Sequence, residues 1–484
     1  MDMPAWLRYR FDYLDEPGHQ VDTIFWDIGC GNYASYPSMV LPPTRNPGLR
    51  KWLDSGTDWV KILVAESHKR GLEAFWHHRI SEVDFQHSGL DMAEMFPVKR
   101  DHPDWVVKTW WWQGMWNLAA PGLREYKVNI LRELAENYDF DGFQIDFSRH
   151  VPCLPVGRQW ELREQATEFM RMVRRMLLEV AAKRGRPLLL SAKVPETITG
   201  CRVDGFDVET WAKENLVDIF SLGSRSMTVD VKAFRRITDK THIKLYPCFD
   251  DHHATLGYRF PSIEVFRGVF GNWLRQGADG VETFNWSCAR TEARTKVGGG
   301  CPGPESHRQA YHECGSLQTM KGKDKIFAVE RRGGYPWAEG YFNRNDTSPL
   351  PAVLAYNGRP TVLSVRNCDA VAREGVDLRL RVILSNAVEG DRLAVEFNGT
   401  SLEDAIYDFS WKDGQIFSPQ TSGGDGIYPI NPGQKLLRLE FTVAPALCRV
   451  GLNQVGIRVI SQAPHCNRAM QVEKVELQLK YKKT

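Results

Sequence analysis

Asp139-Phe140-Asp141-Gly142-Phe143-Gln144-Ile145-Asp146-Phe147-Ser148-Arg149 is the stretch on which the fold turns. Side chains alternate across a strand. Phe143, Ile145 and Phe147 therefore share one face, suited to packing under helices. Gly142, Gln144 and Asp146 share the other. A carboxylate at the end of an otherwise buried strand face is expensive unless it is paired or used. Arg149 stands close enough in sequence to pair with it. The plain structural alternative is an Asp that caps the loop after the strand.

The surroundings repeat this strand. Short apolar runs at Thr23–Ile28, Leu72–Ile80, Leu188–Val194, Asp218–Leu222, Ile243–Phe249 and Gly280–Trp286 alternate with longer amphipathic segments. Helices are expected over Pro47–Arg70, Gly122–Tyr138, Arg158–Arg184, Val208–Asn215, Val229–Lys240 and Ser262–Gln276. In the third of these, Leu162, Ala166, Phe169, Met172, Val173, Met176, Leu177 and Val180 recur at helical spacing. Strand–helix alternation on this scale predicts a parallel sheet closed into a (β/α)8 TIM barrel. A doubly wound open sheet is the weaker alternative, because no Gly-rich phosphate turn follows the first strand. The eighth strand has two candidates, Trp6–Tyr13 at the start or Lys325–Val329 at the end, and the first is preferred. Beyond about residue 323 the helical period stops. Short β-rich runs from Ala352 to Tyr481, separated by Gly, Pro, Asn and Asp, predict an antiparallel β-sandwich. The expected division is a barrel over residues 1–323 and a β-sandwich accessory domain over 324–484.

Composition narrows the function classes. A net charge of +2 with scattered basic residues gives no nucleic-acid stripe and no membrane-binding face. No apolar run is long enough for a membrane-spanning helix. No secretory signal is visible at Met-Asp-Met-Pro-Ala-Trp, so location stays open between the cytoplasm and a secreted protein without its signal. The ten cysteines contain no CxxC pair, which argues against zinc ribbons and thioredoxin-like sites. Cys248 reads as a free buried thiol. No GxSxG elbow, Walker loop, HExxH or dinucleotide turn occurs. No cofactor and no metal are expected. Sixteen Trp, several near strand ends and three in the run Trp110–Trp112, suit sugar stacking as well as core packing.

Barrel sites lie at the C-terminal ends of the strands. Asp146 is the leading catalytic candidate. In Leu188–Glu196, Ser191 and Lys193 share the polar phase, and Pro195 stops the strand so that Glu196 stands at its lip. Glycoside hydrolysis needs two carboxylates, one to attack or activate water and one to protonate the leaving oxygen. Glu196 is the expected acid, and Lys193 would keep Asp146 ionised. Glu282 lies within a β-rich run and points either inward as a third catalytic candidate or outward toward a helix. Asp27, Trp76, His78, Arg79, Arg149, Lys193, Asp250, Asn285 and Trp286 are the expected sugar-contacting residues. Asp250-Asp251-His252-His253 is the one segment that could hold a cation, or supply the acid in place of Glu196.

Trp116-Asn117-Leu118, Pro121 through Tyr138 and Phe140 through Arg149 together resemble the bacterial glycosyl-hydrolase-like family 10 proteins. The last of these stretches answers that family's YD-DGI-LD--R pattern. Gly205–Trp211 with Leu216-Val217-Asp218, Gly71–Arg79 and Gly280–Trp286 fit further stretches, so the resemblance spans roughly residues 20–290. Ser148 and His150 depart from the bulkier residues usual there. The resemblance implies a barrel in which Asp146 ends strand four and Glu196 ends strand five. If Lys325–Val329 were the last strand, Glu196 would end strand four and Glu282 would lie on strand seven, as in retaining glycosidases with two glutamates. The implied activity is hydrolysis of an oligo- or polysaccharide. Members without known activity also exist, and fold does not fix reaction. A carbohydrate-binding protein on a degenerate barrel and a metal-dependent sugar lyase or isomerase are the other readings. Oligomeric state is not legible.

Overall fold

In the computed structural model, seven strands form one parallel sheet in chain order: β1 (Thr23–Trp26), β2 (Glu73–Arg79), β3 (Gly142–Asp146), β4 (Leu189–Val194), β5 (Ile219–Leu222), β6 (Lys244–Asp250) and β7 (Glu282–Phe284). The structure describes residues 2–27, 32–81, 91, 93–223, 226–250, 257–258, 260–284, 286, 305–331, 348–371, 375–416, 432–464 and 468–482. Neighbours in sequence are neighbours in space, and helices such as Pro121–Asn137, Arg163–Arg184 and Ile263–Arg275 make the crossovers. This is barrel topology rather than the reordered sheet of a doubly wound fold.

The sheet is curled. Glu282 on β7 hydrogen-bonds Gln144 on β3 and Lys193 on β4, four and three strands away. The strand phase read from the sequence holds. Phe143 meets Phe140, and Phe147 meets Phe206 and Trp211, all on the helix-facing side. On the inner side Gly142 is small for a reason: a Cβ there would lie 2.3 Å from the Phe75 ring and 2.8 Å from the Leu189 carbonyl oxygen.

Neither candidate for the eighth strand joins this sheet. Residues Met3–Phe11 form a helix with Pro4 in its first turn, and Trp6 packs edge-on against Trp52 and Trp59. Proline in a first helical turn removes no needed donor. The strand Lys325–Ala328 (β8) pairs antiparallel with Gln471–Tyr481 instead. Among the described residues the parallel sheet thus has seven strands, and Asp146 ends the third while Glu196 follows the fourth. The predicted helix Pro47–Arg70 is two helices, Pro47–Asp54 and Trp59–Lys69. Gly56 at φ +75° breaks it, and Asp58 caps the Lys61 N–H of the second.

The C-terminal strands are β9 (Thr361–Asn367), β10 (Val376–Ser385), β11 (Arg392–Phe397), β12 (Leu436–Thr442), β13 (Gly451–Ser461) and β14 (Gln471–Tyr481). They form two antiparallel sheets, one with the sequence β8-β14-β10-β12 and one with β9-β13-β11. Leu380, Val382, Phe397, Val455, Ile457, Val475 and Leu477 fill the space between them. This is the expected β-sandwich.

The sandwich rests on the barrel helix Ile263–Arg275. Asn272 donates to the Arg366 carbonyl and Arg275 to the Cys368 carbonyl. Gly268 lets β8 come close, since a Cβ there would stand 2.0 Å from the Ile326 carbonyl oxygen. Gly268→Ala should therefore destabilise the chain by about 2 kcal/mol through overpacking. Leu178→Ala, on an exposed helix position, should stay within about 0.5 kcal/mol. Urea unfolding midpoints of the full chain check the contrast; equal midpoints would show that the contact yields freely.

Candidate functional site

The inner face of the sheet carries a band of polar groups near its C-terminal rim. Strand register sets them side by side: Arg79, Asp146, Lys193 and Ser221 are consecutive partners across β2 to β5. One row below are His77, Gln144 and Ser191. Cys248 pairs with Glu282, and Asp250 with Phe284, across β6 and β7. All of these side chains are buried.

Lys193 is the centre of the band. Its Nζ donates to Glu282 Oε1 at 2.8 Å and approaches Cys248 Sγ at 3.0 Å. It also sits 3.9 Å from the centroid of the Phe284 ring, a cation–π contact. Burial opposes its charge. Cys248, Glu282 and Asp146 more than offset that, and hold the ammonium well above the usual lysine range. The same arrangement acts on Glu282: burial pushes its carboxyl up, and Lys193 pulls it down below the ordinary value. Burial pushes the Cys248 thiol well up, so it is a neutral thiol rather than a nucleophile.

Asp146 is held from both sides. Its Oδ1 accepts the backbone N–H groups of Ser148 at 2.8 Å and Arg149 at 2.9 Å. Its Oδ2 meets His77 Nε2 at 3.1 Å. Burial works against ionisation here also, but His77, Lys193 and the Ser148 N–H outweigh it and keep the carboxyl well below the usual carboxylate range. The loop-capping alternative is thus realised together with the charged one. Gln144 links the two carboxylates: its Nε2 donates to Glu282 Oε2 at 2.9 Å, and its Oε1 meets His77 Nδ1 at 2.6 Å. Arg149 lies over the Phe284 ring at 5.5 Å, and Arg79 pairs with Asp27 at the rim.

The expected residues separate into three groups. Asp146, Glu282, Lys193 and Arg149 come together around Phe284, and the Asp27–Arg79 pair stands on the adjoining strands. Glu282 points inward, not toward a helix. Glu196 stands at the lip after β4, with its carboxyl over Gly223; a Cβ at Gly223 would lie 2.2 Å from Glu196 Cγ. Asp250 is buried at the end of β6. Trp286 stacks on His307 at 4.1 Å and meets Phe266 and Tyr311, so much of its ring is used in packing.

Two expected residues face the wrong way. Trp76 and His78 project from β2 toward the helices. Trp76 packs on Tyr36 and Phe140, and the His78 imidazole is buried with no hydrogen-bond partner among the described residues. Burial first, and then Lys127, holds its pKa well below the ordinary value. Adjacent residues of a strand cannot share a face, so Arg79 inward requires His77 inward and His78 outward. Asn285 and Asp251, His252 and His253 lie outside the described residues.

Sequence reading missed His77, Ser221 and Phe284, rightly took Cys248 as a free buried thiol but without a place in the site, and noted Gln144 as inward without giving it a role. The alternation that places Arg79 was signal enough for His77. For Cys248 and Phe284 the signal was weaker, because apolar types on an inner face read as ordinary core. Asp204 was also missed. It is buried on the helix Ile198–Asp204, with neither oxygen hydrogen-bonded among the described residues, and burial together with Glu196 raises its pKa well above the usual value.

A cavity of about 500 Å³ lies on the β1–β7 side and reaches Asp27, His77, Glu282, Phe284 and Trp286. Among the described residues no group of three or more His, Cys, Asp or Glu is arranged to hold a metal ion.

Comparison with known proteins agrees with the resemblance read from the sequence. Residues 9–156 match the family described as Glycosyl hydrolase-like 10. The matched segment contains β1, β2 and β3 and ends ten residues past Asp146. A curated relative, Glycosyl hydrolase YngK of Bacillus subtilis (strain 168), is 27% identical over 136 residues. That stretch is 28% of this chain and 26% of the relative, so the chain spans about a quarter of the relative's length. Among solved structures, alpha-L-fucosidase isoenzyme 2 from Paenibacillus thiaminolyticus is similar at TM-score 0.42 and 14% identity, over 68% of this chain and 48% of that one. The maltogenic alpha-amylase AmyB from Thermotoga neapolitana gives TM-score 0.35 and 12% identity, over 95% and 94%.

The buried pair makes a stability prediction. Lys193→Met leaves Glu282 and Asp146 without their cation and should cost about 3–5 kcal/mol. Lys193→Met with Glu282→Gln should recover part of that loss, measured as a double-mutant cycle. The pH dependence has a definite sign. Glu282 has a lowered folded pKa, so its contribution is present above its unfolded value of about 4.3 and is lost as pH falls through the folded value. The stability of Glu282→Gln should therefore fall less steeply than wild type below about pH 4. Parallel curves would sink the assignment.

Proposed function

We propose that this chain hydrolyses glycosidic bonds of an oligo- or polysaccharide, with Asp146 as nucleophile or base and Glu196 as acid. The observation that carries the reading is the placement of Asp146: a buried carboxyl at the C-terminal end of a barrel strand, beside Lys193 on the next strand and accepting two backbone N–H groups. A nucleophile or base must be charged at working pH, and this environment keeps it so. Glu196 follows the next strand at the same rim, which is where an acid acting across the same bond belongs. The match of residues 9–156 to a glycosyl-hydrolase-like family supports the same class of reaction.

In this reading Glu282 is the fixed counter-ion of Lys193 rather than a proton donor. Asp27, Arg79, Arg149, Asp250, Asn285 and Trp286 remain the proposed contacts to sugar hydroxyls and ring faces. Trp76 and His78 drop out of that set. The barrel over residues 1–323 would then be the catalytic unit, and residues 324–484 an accessory domain.

One observation favours a second reading, carbohydrate binding without turnover. Both oxygens of Asp146 and both of Glu282 are engaged by the protein itself. A wholly structural network would look the same.

Kinetics on a panel of aryl glycosides and oligosaccharides separates the two. Asp146→Asn should lower kcat by at least about 100-fold. Glu196→Gln should lose about as much on natural glycosides, whose leaving oxygen needs a proton, and far less on nitrophenyl glycosides, whose leaving group does not. Equal turnover by wild type and Asp146→Asn would remove Asp146 from the chemistry, and none by either would leave only the binding reading.

A further inference from the structure

We infer that His77 is held with hydrogen on both ring nitrogens, as an imidazolium whose Nε2–H fixes the orientation of Asp146, and that Glu282 imposes this state through Gln144. The catalytic use of this device rests on the hydrolase reading above. The hydrogen assignment does not.

The chain of hydrogen bonds begins at Lys193. Its ammonium donates to Glu282 Oε1, so Glu282 is a carboxylate and can only accept. Glu282 Oε2 stands 2.9 Å from one end of the Gln144 amide. Two acceptors cannot sit that close, so the NH2 end must face Glu282. The same nitrogen lies 3.2 Å from Ser191 Oγ, which can accept its second hydrogen. The carbonyl end of Gln144 is therefore fixed toward His77, at 2.6 Å from Nδ1. A carbonyl oxygen only accepts, so Nδ1 carries a hydrogen. Turning the ring over would put a carbon at that distance, which is too short for a C–H contact.

The remaining ring nitrogen, Nε2, lies 3.1 Å from Asp146 Oδ2. If it were bare, a nitrogen lone pair would face a carboxylate oxygen with no hydrogen between them. One hydrogen must lie on that line. Two backbone N–H groups already hold Asp146 Oδ1, and Lys193 is the partner residue on the adjoining strand. Those backbone donors and the neighbouring ammonium favour the ionised form of Asp146 whatever the state of His77. The hydrogen therefore belongs to His77. The other groups around the imidazole agree with a charged ring. Phe284 from β7 stands 5.7 Å from it, Glu282 lines the same cavity, and the Arg79–Asp27 pair is neutral in sum. His78, the next residue of β2, lies on the opposite face of the sheet, and His77 is among the charges that lower its pKa.

His77 is thus a positioning residue. It supplies the charge-assisted hydrogen bond that keeps Asp146 ionised and leaves it one defined orientation at the rim. Gln144 acts only by relaying which end of its amide Glu282 will tolerate.

Nitrogen-15 NMR of the full chain, labelled at its thirteen histidines, reads this directly. One imidazole should show two slowly exchanging N–H groups at neutral pH, and both signals should vanish in His77→Gln. In Asp146→Asn, which keeps the shape and removes the charge, the same ring should retain only its Nδ1–H. Gln144→Met removes the acceptor of the Nδ1 hydrogen, so His77 should lose that hydrogen and keep only its Nε2–H, and, where turnover is measurable, kcat should fall with little change in KM. A His77 ring with a single N–H at neutral pH in the wild-type chain would overturn the inference, whether or not the protein hydrolyses any glycoside. A two-hydrogen ring without turnover would retire the hydrolase reading and leave the assignment standing.

Discussion

Lys193 places an ammonium in the interior of the barrel with no surface left to water, and the inner face is organised around making that tolerable. An isolated charge there would be prohibitive, so it must be paired and hydrogen-bonded. The pairing reaches across the sheet: Glu282 comes from β7, Asp146 from β3, Cys248 from β6, and the Phe284 ring covers the ammonium from above. No flat sheet could bring these strands together. The ion pair and the curl of the sheet therefore require one another.

The hydrogen-bond directions follow from this one charge. Lys193 makes Glu282 an acceptor, Glu282 orients the Gln144 amide, and Gln144 sets the hydrogen on His77 Nδ1. Each group in that chain has only one compatible role once its neighbour is settled. Such networks are rigid when every member is satisfied and fail badly when one is removed. The chain ends at Asp146, whose two oxygens are oriented by a ring N–H on one side and two backbone N–H groups on the other. A carboxylate held this way cannot rotate, which suits a group that must meet a single atom of a ligand.

Much of this was legible in the sequence because strand alternation is a strict rule. The segment from Asp139 to Arg149 gave the inward set Gly142, Gln144 and Asp146 directly, and Leu188–Val194 gave Ser191 and Lys193 in the same way. The parallel sheet and the β-rich C-terminal region were legible for the same reason, since the change of period near residue 323 is large. The eighth strand was not. Trp6–Tyr13 is apolar enough for a strand, but its Trp and Phe residues pack onto Trp52, Trp59 and Trp26 as one face of a helix. Lys325–Val329 is a strand, but its partner lies some 150 residues further on, and pairing over such a distance leaves no mark in local pattern. The partners of Asp146 were illegible for a similar reason. Alternation tells which side a residue faces, not which distant strand curls over to meet it.

The same geometry bears on which carboxylate serves as the acid. With seven strands in order, Glu196 follows the fourth and Glu282 lies on the seventh, an arrangement like that of glycosidases with two glutamates. Position alone would thus favour Glu282 as a catalytic group. Its contacts argue otherwise. Lys193 depresses its pKa and holds one oxygen, and Gln144 holds the other. A general acid needs the opposite: a carboxyl whose surroundings keep the proton on. Glu196 stands at the lip after β4. It lies against the backbone at Gly223, and the nearby Asp204 is a buried carboxyl whose own pKa is raised by burial and by Glu196 itself. Asp204, whose carboxyl burial pushes well up, and Glu282, whose carboxyl a buried ammonium pulls down, thus hold opposite states on two sides of the inner face. In the proposed hydrolysis, a general acid would have to come from a carboxyl outside the Lys193 ion pair.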